Sequence, residues 1–492
     1  MITETEMKWK QDRLKKIGQY LESEKREDFI DDEKIEDLIS RPSRMDKKRI
    51  SGLIEKARSI KGLTPEETAY LLNIEDKDVW EELFRTARFV KNEVYGNRIV
   101  LFAPVYLSNL CVNNCLYCGF RSTNSSMVPQ NLSTEEIRKE VEVLTSVGHK
   151  RLLAVYGEHP KSDIRYIVDS IRTIYSMKKG PDEIRRVNVN AAPFFIDELK
   201  ELKAAGIGTY QVFQETYHKA TYQKIHPGET VKNSYAWRLF SQHRAQEAGI
   251  DDVAIGALFG LYKWKFEVLG LIYHAMSMEK EFGVGSHTIS FPRLEPALGT
   301  DFIKHSEHLV SDDDFRKVIA ILRLAVPYTG LILTARETPE FRREAIRLGI
   351  SQTDAGTRIA IGGYSQSEKV HIPEKEQFRI ADTRSLEDYI YELAEDGYIP
   401  SFCTADYRCG RTGCEFMGIV KAGKIKTLCI PNAILTFKEY LLDYASARTK
   451  ILGDKLIREY TEFVGKNYSD TMAKTIREYL ARIGKGERDL YF

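Results

Sequence analysis

The feature that most constrains the fold is an alternation of short β-rich runs and helical stretches from about residue 98 to residue 361. Helical segments such as STEEIRKEVEVLTSVG, with its Ser133–Glu136 capping box, separate these runs. The runs have the apolar, β-branched character of buried strands: RIVLFAPV, RLLAVYG, RRVNVN, GTYQVFQ, DVAIGALFG, SHTISF, GLILTA and GTRIAIGG. Eight β-α units predict a (β/α)8 barrel of the TIM type, whose chemistry lies at the carboxyl ends of its strands.

The predicted α/β barrel spans residues 96–369 and is flanked by two other segments. Residues 1–95 are expected to form N-terminal helices, one of which begins at Thr64 with Pro65 at its first position and Glu67 completing a capping box. Residues 370–492 are expected to form a mainly helical C-terminal extension that packs on or near the barrel mouth.

Composition excludes several classes of protein. The net charge of +1 gives no basic excess for nucleic acid, and 42% hydrophobic residues is ordinary for a globular protein. The longest apolar run is too short to span a bilayer, and the polar N-terminus does not resemble a signal peptide. Seven cysteines in such a chain favour metal ligation over disulfides. We therefore expect a cytoplasmic enzyme with no nucleic-acid or membrane partner.

Three cysteines follow the first predicted strand, in SNLCVNNCLYCGF. Cys111, Cys115 and Cys118 have C-x3-C-x2-C spacing, and Tyr117 precedes the third thiol. Three thiolates can hold a [4Fe–4S] cube and leave its fourth iron open for catalysis. The alternatives are thiols without function or a structural zinc site, which would need a fourth donor that this stretch lacks. The pattern resembles the signature of radical S-adenosylmethionine (SAM) enzymes, whose open iron binds SAM.

Polar residues at two further strand ends suit the binding of this cofactor. Gly157 allows close backbone approach and Glu158 offers a carboxylate; the resemblance implies that this pair binds the SAM amino group. By the same resemblance, Glu215 and Arg238 match the positions that contact the SAM ribose and carboxylate. Without a cofactor, Gly157–Glu158 would be an ordinary turn, and Glu215–Arg238 a surface ion pair.

The sixth predicted strand ends in SHTISFPR. Arg293 there can grip an amino-acid carboxylate with two hydrogen bonds. His287, on the same segment, is a candidate metal ligand, although a lone histidine is more often a core residue.

Nearly the whole chain resembles the HydG family, the radical SAM tyrosine lyase that matures [FeFe]-hydrogenase. The resemblance is carried by SNLCVNNCLYCGFR, VYGEHP, VFQETYH, AGIDDVAIGALFGL, HTISFPR, SFCTADYRCGRTGCEFM, CIPNAILTFKEYLLDYAS and GERDLYF. It implies cleavage of L-tyrosine to p-cresol and dehydroglycine, with CO and cyanide formed at a second iron–sulfur cluster in the extension. It also implies that Arg293 holds the tyrosine carboxylate, that His287 binds an extra iron of the second cluster, and that a ferredoxin- or flavodoxin-type protein supplies electrons.

The chain departs from the family at the second cluster. The family has three cysteines in the extension; the matching positions here are Cys403, Asp406 and Cys429. A carboxylate is a harder donor than a thiolate and is less suited to iron–sulfide. Three interpretations remain: the cluster persists with Asp406, Cys409 or Cys414 as ligand; it is absent or altered in a paralogue that still cleaves tyrosine; or Asp406 is an engineered change.

The leading hypothesis is therefore a radical SAM carbon–carbon lyase acting on L-tyrosine. One rival is a tyrosine lyase of the thiamine pathway, which stops at dehydroglycine (2-iminoacetate). That family resembles the barrel but lacks the region from Cys403 to Asp443. Another rival is a non-catalytic iron–sulfur scaffold, which would need the cysteines but not Glu158, Glu215, Arg238 and Arg293.

Overall fold

The computed structural model describes residues 3–43, 45–366 and 370–492. Within these residues, eight parallel strands close into a barrel in chain order, because the first and last also pair with each other. These strands are β1 (Arg98–Ser108), β2 (Arg151–Tyr156), β5 (Arg186–Asn190), β6 (Tyr210–Gln211), β7 (Val253–Gly256), β8 (Thr288–Ser290), β9 (Gly330–Leu333) and β10 (Gln352–Asp354). A short antiparallel pair, β3 (Lys178–Lys179) and β4 (Asp182–Glu183), lies outside the barrel.

Helices surround the barrel and extend it at both ends of the chain. The N-terminal helices are α1 (Glu4–Glu24), α2 (Asp32–Ser40), α3 (Lys47–Arg58), α4 (Pro65–Leu72) and α5 (Lys77–Tyr95). Those between the barrel strands and after β9 are α6 (Thr134–Ser146), α7 (Ile164–Ser176), α8 (Ile196–Ala204), α9 (Lys219–Ile225), α10 (Tyr235–Leu239), α11 (Ser241–Glu247), α12 (Trp264–Phe282), α13 (Phe302–His305), α14 (Asp312–Ala325) and α15 (Pro339–Leu348). The C-terminal helices are α16 (Leu386–Glu395), α17 (Ala405–Arg408), α18 (Gly413–Lys421), α19 (Ile425–Asp443), α20 (Ala447–Asn467) and α21 (Asp470–Gly484). Short 3-10 helices span Pro160–Ser162, Val231–Asn233 and Pro373–Lys375.

The two predicted capping boxes are confirmed. At the start of α4, the Thr64 hydroxyl accepts from the Glu67 amide at 3.2 Å, and Glu67 accepts from the Thr64 amide at 2.8 Å. Ser133 and Glu136 make the same reciprocal pair at the start of α6. Each box satisfies amides that the first helical turn cannot pair, so both helix starts are set by four residues of local sequence.

The eighth strand was predicted in the wrong place. The barrel is closed by β10, three residues that pair with β1 and β9, whereas GTRIAIGG follows it as a buried loop and turn. Ile361 in that loop donates its amide to the Lys375 carbonyl at 3.2 Å, a contact outside the sheet. A short apolar run cannot be identified as a strand or a buried loop from its pattern alone.

The C-terminal extension contacts both ends of the barrel rather than the mouth alone. A further strand, β11 (Ile399–Ser401), pairs in parallel with the first three residues of β1, at the amino end of the barrel. The chain after β11 therefore continues at that end, and α19 packs against β11, β1 and α5. The earlier segment around Gln377 remains at the carboxyl end, where the Gly119 amide donates to the Gln377 carbonyl at 3.0 Å.

The strands are buried as the interior of a barrel requires. All eleven residues of β1 are buried, as are those of β7, β8 and β9. Strands covered on both faces are typical of parallel sheets enclosed by helices. None of the helices in the described ranges is long and apolar enough to cross a membrane.

Candidate active site and second metal site

A cavity of ≈ 190 Å³ lies inside the barrel at the carboxyl ends of the strands. It brings together all but one of the residues predicted for this end: Cys111, Cys115, Tyr117, Cys118, Gly157, Glu158, Glu215 and Arg238 line it, and Arg293 does not. These residues come from the loops after β1, β2 and β6 and from α10. The predicted residues meet here because the parallel strands of a barrel all end at the same edge.

The cysteine loop is fixed by backbone hydrogen bonds to its neighbours. The Val112 amide donates to the Glu158 carbonyl at 2.8 Å, and the Leu116 amide to the Ile225 carbonyl at 3.0 Å. No cysteine is in a disulfide, and burial raises the pKa of Cys111 to about 11 and that of Cys115 to about 12. The free thiols are therefore protonated at neutral pH, and a metal must displace those protons to bind.

Gly157 and Glu158 form a tight turn against this loop. A Cβ on Gly157 would lie 2.2 Å from the Leu110 carbonyl oxygen, so the approach requires glycine. Glu158 accepts from the Asn113 side-chain amide at 2.5 Å through Oε2, while its buried Oε1 has no hydrogen-bonding partner in the described residues. Burial raises the pKa of Glu158. An unpartnered buried acceptor on the cavity wall is suited to an amino group.

Glu215 is held in a left-handed conformation, with φ of +70°. Its Oε1 accepts from Lys232 Nζ at 2.7 Å and from Arg238 Nη2 at 3.3 Å. Burial alone would raise the pKa of Glu215, but Lys232 and Arg238 outweigh it and lower that pKa. Lys232, on a 3-10 helix, was not predicted, and nothing in VKNSYAW distinguishes it from a surface lysine. The result is an ionised carboxylate beside two cations on the cavity wall.

Tyr117 is oriented by a buried histidine. Nδ1 of His226 lies 3.0 Å from the Tyr222 carbonyl, which can only accept, so Nδ1 carries the hydrogen. Burial lowers the pKa of His226 well below its ordinary value, so its Nε2 accepts from the Tyr117 hydroxyl at 2.9 Å. The tyrosine ring is thereby fixed beside the third cysteine.

Arg293 is fully engaged elsewhere. Its guanidinium donates from Nε to Glu337 at 3.0 Å, from Nη2 to the other Glu337 oxygen, and from Nη1 to Asp312 at 2.7 Å. The guanidinium on the cavity belongs instead to Arg336, three residues after the end of β9. Arg336 stacks on Phe378 with its Cζ 3.3 Å from the ring centroid and makes no ion pair with another described residue. Its place directly after GLILTA was the signal that could have identified it.

A smaller cavity of ≈ 40 Å³ lies at the amino end of the barrel. It brings together the four predicted ligands of the second site: Cys403, Asp406, Cys429 and His287. Burial raises the pKa of Cys403 to about 11 and that of Cys429 to about 12. His287 stands immediately before β8 and packs against Phe416, with ring centroids 4.8 Å apart.

Asp406 lines this cavity. Asp406 Oδ1 accepts from Arg411 Nε at 3.0 Å, and Arg411 Nη2 donates to the Phe492 carbonyl oxygen at 2.6 Å. Cys409 and Cys414 are exposed and are not among the residues that line the cavity. In this structure the candidate ligands are therefore two thiols, one carboxylate held by an arginine, and one imidazole.

The donor sets fit iron–sulfur clusters by type and placement. Thiolates are the donors that such clusters prefer, and both sets of thiols lie on the walls of cavities. Within the described ranges, no three Cys, His, Asp or Glu side chains converge as the ligands of a single metal ion do. At the active site, the free acceptor of Glu158 and the charged groups around Glu215 also fit the polar groups of SAM.

Comparison with known protein families agrees with a site for an iron–sulfur cluster and SAM. Residues 105–267 match the radical SAM superfamily, and residues 290–399 match the biotin and thiamin synthesis associated domain. The chain is 31% identical over 360 residues to 2-iminoacetate synthase of Salmonella typhimurium, covering 73% of this chain and 92% of that protein. It is 30% identical to the Escherichia coli protein of the same name, with the same coverage.

Two crystal structures resemble nearly the whole chain. One is HydG, a maturase of the [FeFe]-hydrogenase, at 50% identity and a TM-score of 0.90; the match covers 95% of this chain and 100% of that one. The other is the maturase HydG from Carboxydothermus hydrogenoformans, at 36% identity and a TM-score of 0.78, covering 96% of this chain and 99% of that one. The match therefore includes the C-terminal extension as well as the barrel.

Proposed function

The chain belongs to the HydG family of radical SAM enzymes, and from this premise we propose that it cleaves the Cα–Cβ bond of L-tyrosine to p-cresol and dehydroglycine. One observation carries the proposal. The three thiols and the uncommitted Arg336 guanidinium line the same cavity, so a cluster-bound cofactor and an amino-acid carboxylate have sites on its walls. An iron–sulfur scaffold without catalysis would have no use for Arg336.

Each cavity residue has a distinct part in this proposal. Cys111, Cys115 and Cys118 would hold a [4Fe–4S] cluster, which when bound would supply one electron to SAM for the radical chemistry that takes hydrogen from the substrate amino group. Glu158 would accept a hydrogen bond from the SAM amino group. Glu215 and Arg238 would bind its ribose and carboxylate. The electrons would come from a ferredoxin- or flavodoxin-type partner.

Arg336 is the better-placed ligand for the tyrosine carboxylate. Its donors are not committed to a carboxylate of the described chain, whereas those of Arg293 are bound to Glu337 and Asp312. A guanidinium binds a carboxylate through two parallel hydrogen bonds. We therefore assign to Arg336 the role that the sequence suggested for Arg293, and to Arg293 the fixing of the loop after β8.

Release of p-cresol by the reconstituted enzyme with SAM, reductant and L-tyrosine tests the reaction. Arg336→Leu should raise KM for tyrosine about ten- to 150-fold, since a hydrogen bond to a charged group contributes about 1.5–3 kcal/mol. Arg293→Lys, which keeps a cation beside Glu337, should change KM much less. The reverse order of the two effects would return the role to Arg293. SAM cleavage without p-cresol would exclude tyrosine as the substrate.

We further propose that dehydroglycine yields CO and cyanide at the second cavity, for hydrogenase maturation partners. Val100 and Phe102 of β1 line the smaller and the larger cavity respectively, as Gln352 and Asp354 of β10 do. Alternate residues of a strand share one face and stand about 6.6 Å apart, so the two cavities occupy successive layers of the barrel interior. A small product would thus travel a short distance along the barrel axis.

One observation favours the rival lyase that stops at dehydroglycine. The carboxylate of Asp406 is bound by Arg411, and the thiols of the described residues that line the second cavity are two, Cys403 and Cys429. Measuring CO and cyanide alongside p-cresol separates the two functions, because a 2-iminoacetate-type lyase would release p-cresol and dehydroglycine without CO or cyanide.

A further inference from the structure

Glu295 is a cavity residue with no role in the proposed function so far. It lies in the loop after β8, lines the active-site cavity and is half-buried. Its carboxylate makes no hydrogen bond or ion pair with any other described residue. Carboxylates of the described chain near this wall, such as Glu215 and Glu337, are by contrast paired with cations.

Three arginines and one glutamate are the charged groups closest to Glu295. Arg336 and Glu337 face it from the loop after β9, Arg293 from its own loop, and Arg379 from the segment that crosses the mouth. Burial raises the pKa of Glu295 to about 7, and Arg336 only partly offsets this. A carboxyl that titrates near neutral pH can take up a proton and release it again within a catalytic cycle.

The position of Glu295 relative to Arg336 determines which group of a bound amino acid would lie near the Glu295 carboxylate. In an α-amino acid the amino and carboxylate groups share one carbon, so a substrate gripped by Arg336 through its carboxylate places its amino group a few ångströms away. Arg336 donates to the backbone oxygen of Arg293 at 3.3 Å, which ties it to the loop that carries Glu295. Glu295 is two residues further along that loop, and its side chain and that of Arg336 line the same cavity.

We propose that Glu295 is the catalytic base that removes a proton from the α-ammonium group of the bound amino acid. The proposal rests on the tyrosine lyase function above, in which hydrogen is taken from the substrate nitrogen. An ammonium nitrogen has no lone pair to stabilise a nitrogen-centred radical, so the nitrogen must first be neutral. In the step, an N–H bond breaks heterolytically and an O–H bond forms: –NH3⁺ and –COO⁻ become –NH2 and –COOH. No electron moves, and the proton leaves to water after product release.

The pH dependence of Glu295→Gln tests this role. The wild-type kcat for p-cresol should rise with pH through about 7, as the carboxyl ionises. The variant should lose about a hundredfold or more of kcat near neutral pH, the usual contribution of a general base. Its activity should recover toward pH 9, because solvent then removes the proton from the α-ammonium group, whose ordinary pKa is about 8 or above. SAM affinity, measured by calorimetry, should not change.

Two further variants complete the design. Glu307→Gln, an exposed carboxylate further along the same connection, should behave as the wild type at every pH. Glu295→Asp keeps a carboxylate base, so its kcat should be lower but should still rise with pH as in the wild type. That result would also exclude misfolding as the cause of the activity loss in Glu295→Gln. A Glu295→Gln deficit that stays constant across the pH range would overturn the proposal in favour of a simple binding contact, as would wild-type activity throughout. A wild-type enzyme that cleaves SAM without making p-cresol would instead refute the proposed function itself.

Discussion

Replacing Glu267 with leucine should weaken SAM binding, because Glu267 holds the turn that carries Glu215. Glu267 is fully buried on α12; its Oε2 accepts from the Tyr217 amide at 2.9 Å, and its Oε1 accepts from the Thr216 hydroxyl. One turn further on, Gly270 makes room for the Tyr217 ring, since a Cβ there would lie 2.4 Å from it. The helix thus fixes the two residues that follow the left-handed Glu215.

The magnitude follows from what each substitution leaves unpaired. Leucine would strand the Thr216 hydroxyl and the Tyr217 amide in a dry interior. Each stranded group costs about 1–3 kcal/mol, so the folded state should lose about 2–6 kcal/mol. Glutamine can accept from the Tyr217 amide with its oxygen and donate to the Thr216 oxygen with its nitrogen. Glu267→Gln should therefore cost less than about 1 kcal/mol.

The stability of the wild type and that of Glu267→Gln should also depend differently on pH. Burial raises the pKa of Glu267 to about 8, from 4.5, so the folded state binds this proton more tightly than the unfolded state. The resulting stabilisation is complete below about pH 4.5 and is lost as pH rises through about 8. Across that range, the free energy of unfolding changes by about 5 kcal/mol because of this group. Glutamine cannot titrate, so the stability difference between wild type and Glu267→Gln should shift in favour of glutamine as pH rises.

Thermal unfolding at about pH 5 and pH 8.5, with SAM titration calorimetry of the reconstituted proteins, checks both points. Glu267→Leu should show a lower midpoint and weaker SAM binding, and Glu267→Gln should retain affinity. The reasoning fails if the leucine variant binds SAM as tightly as the glutamine variant. It fails equally if the glutamine variant keeps the wild-type dependence of stability on pH.

Local signals predicted the parts of the fold that depend on a few neighbouring residues. The capping boxes at Thr64 and Ser133 span four residues each, and they begin α4 and α6 as expected. The cysteine spacing and the turn at Gly157 were readable for the same reason, and the barrel then brought them together. Once a parallel barrel is predicted, the location of its active-site residues is predictable too, because all the strands have their carboxyl ends at one edge.

Contacts between distant residues were not predictable in this way. Arg293 was expected over the cavity, but its guanidinium is bound to Glu337, 44 residues further on. The placement of the second site depends on β11 pairing with the start of β1, about three hundred residues earlier in the chain. Neither a strand end nor a cysteine spacing encodes which way a long side chain turns or which edge a short strand joins.

Substitutions at the cysteines, at Gly157 and at Asp406 test the metal sites. Ala in place of Cys111, Cys115 or Cys118 should abolish 5′-deoxyadenosine formation, since two thiolates do not hold the open iron in place; undiminished formation in the triple variant would exclude the radical SAM assignment. Gly157→Ala should lower cluster content on reconstitution, because its Cβ would meet the Leu110 carbonyl at 2.2 Å; a full complement of iron would show that the loop can shift without cost. Asp406→Cys should raise iron from about four toward about eight per chain and increase CO and cyanide, since a third thiolate replaces a hard donor now bound by Arg411. Asp406→Asn removes the charge without adding sulfur and should leave iron near the lower value, with p-cresol formation intact in both variants. If the wild-type protein already holds a full second cluster that Asp406→Cys does not change, then Asp406 is itself an adequate ligand, and the ion pair with Arg411 must open when iron binds.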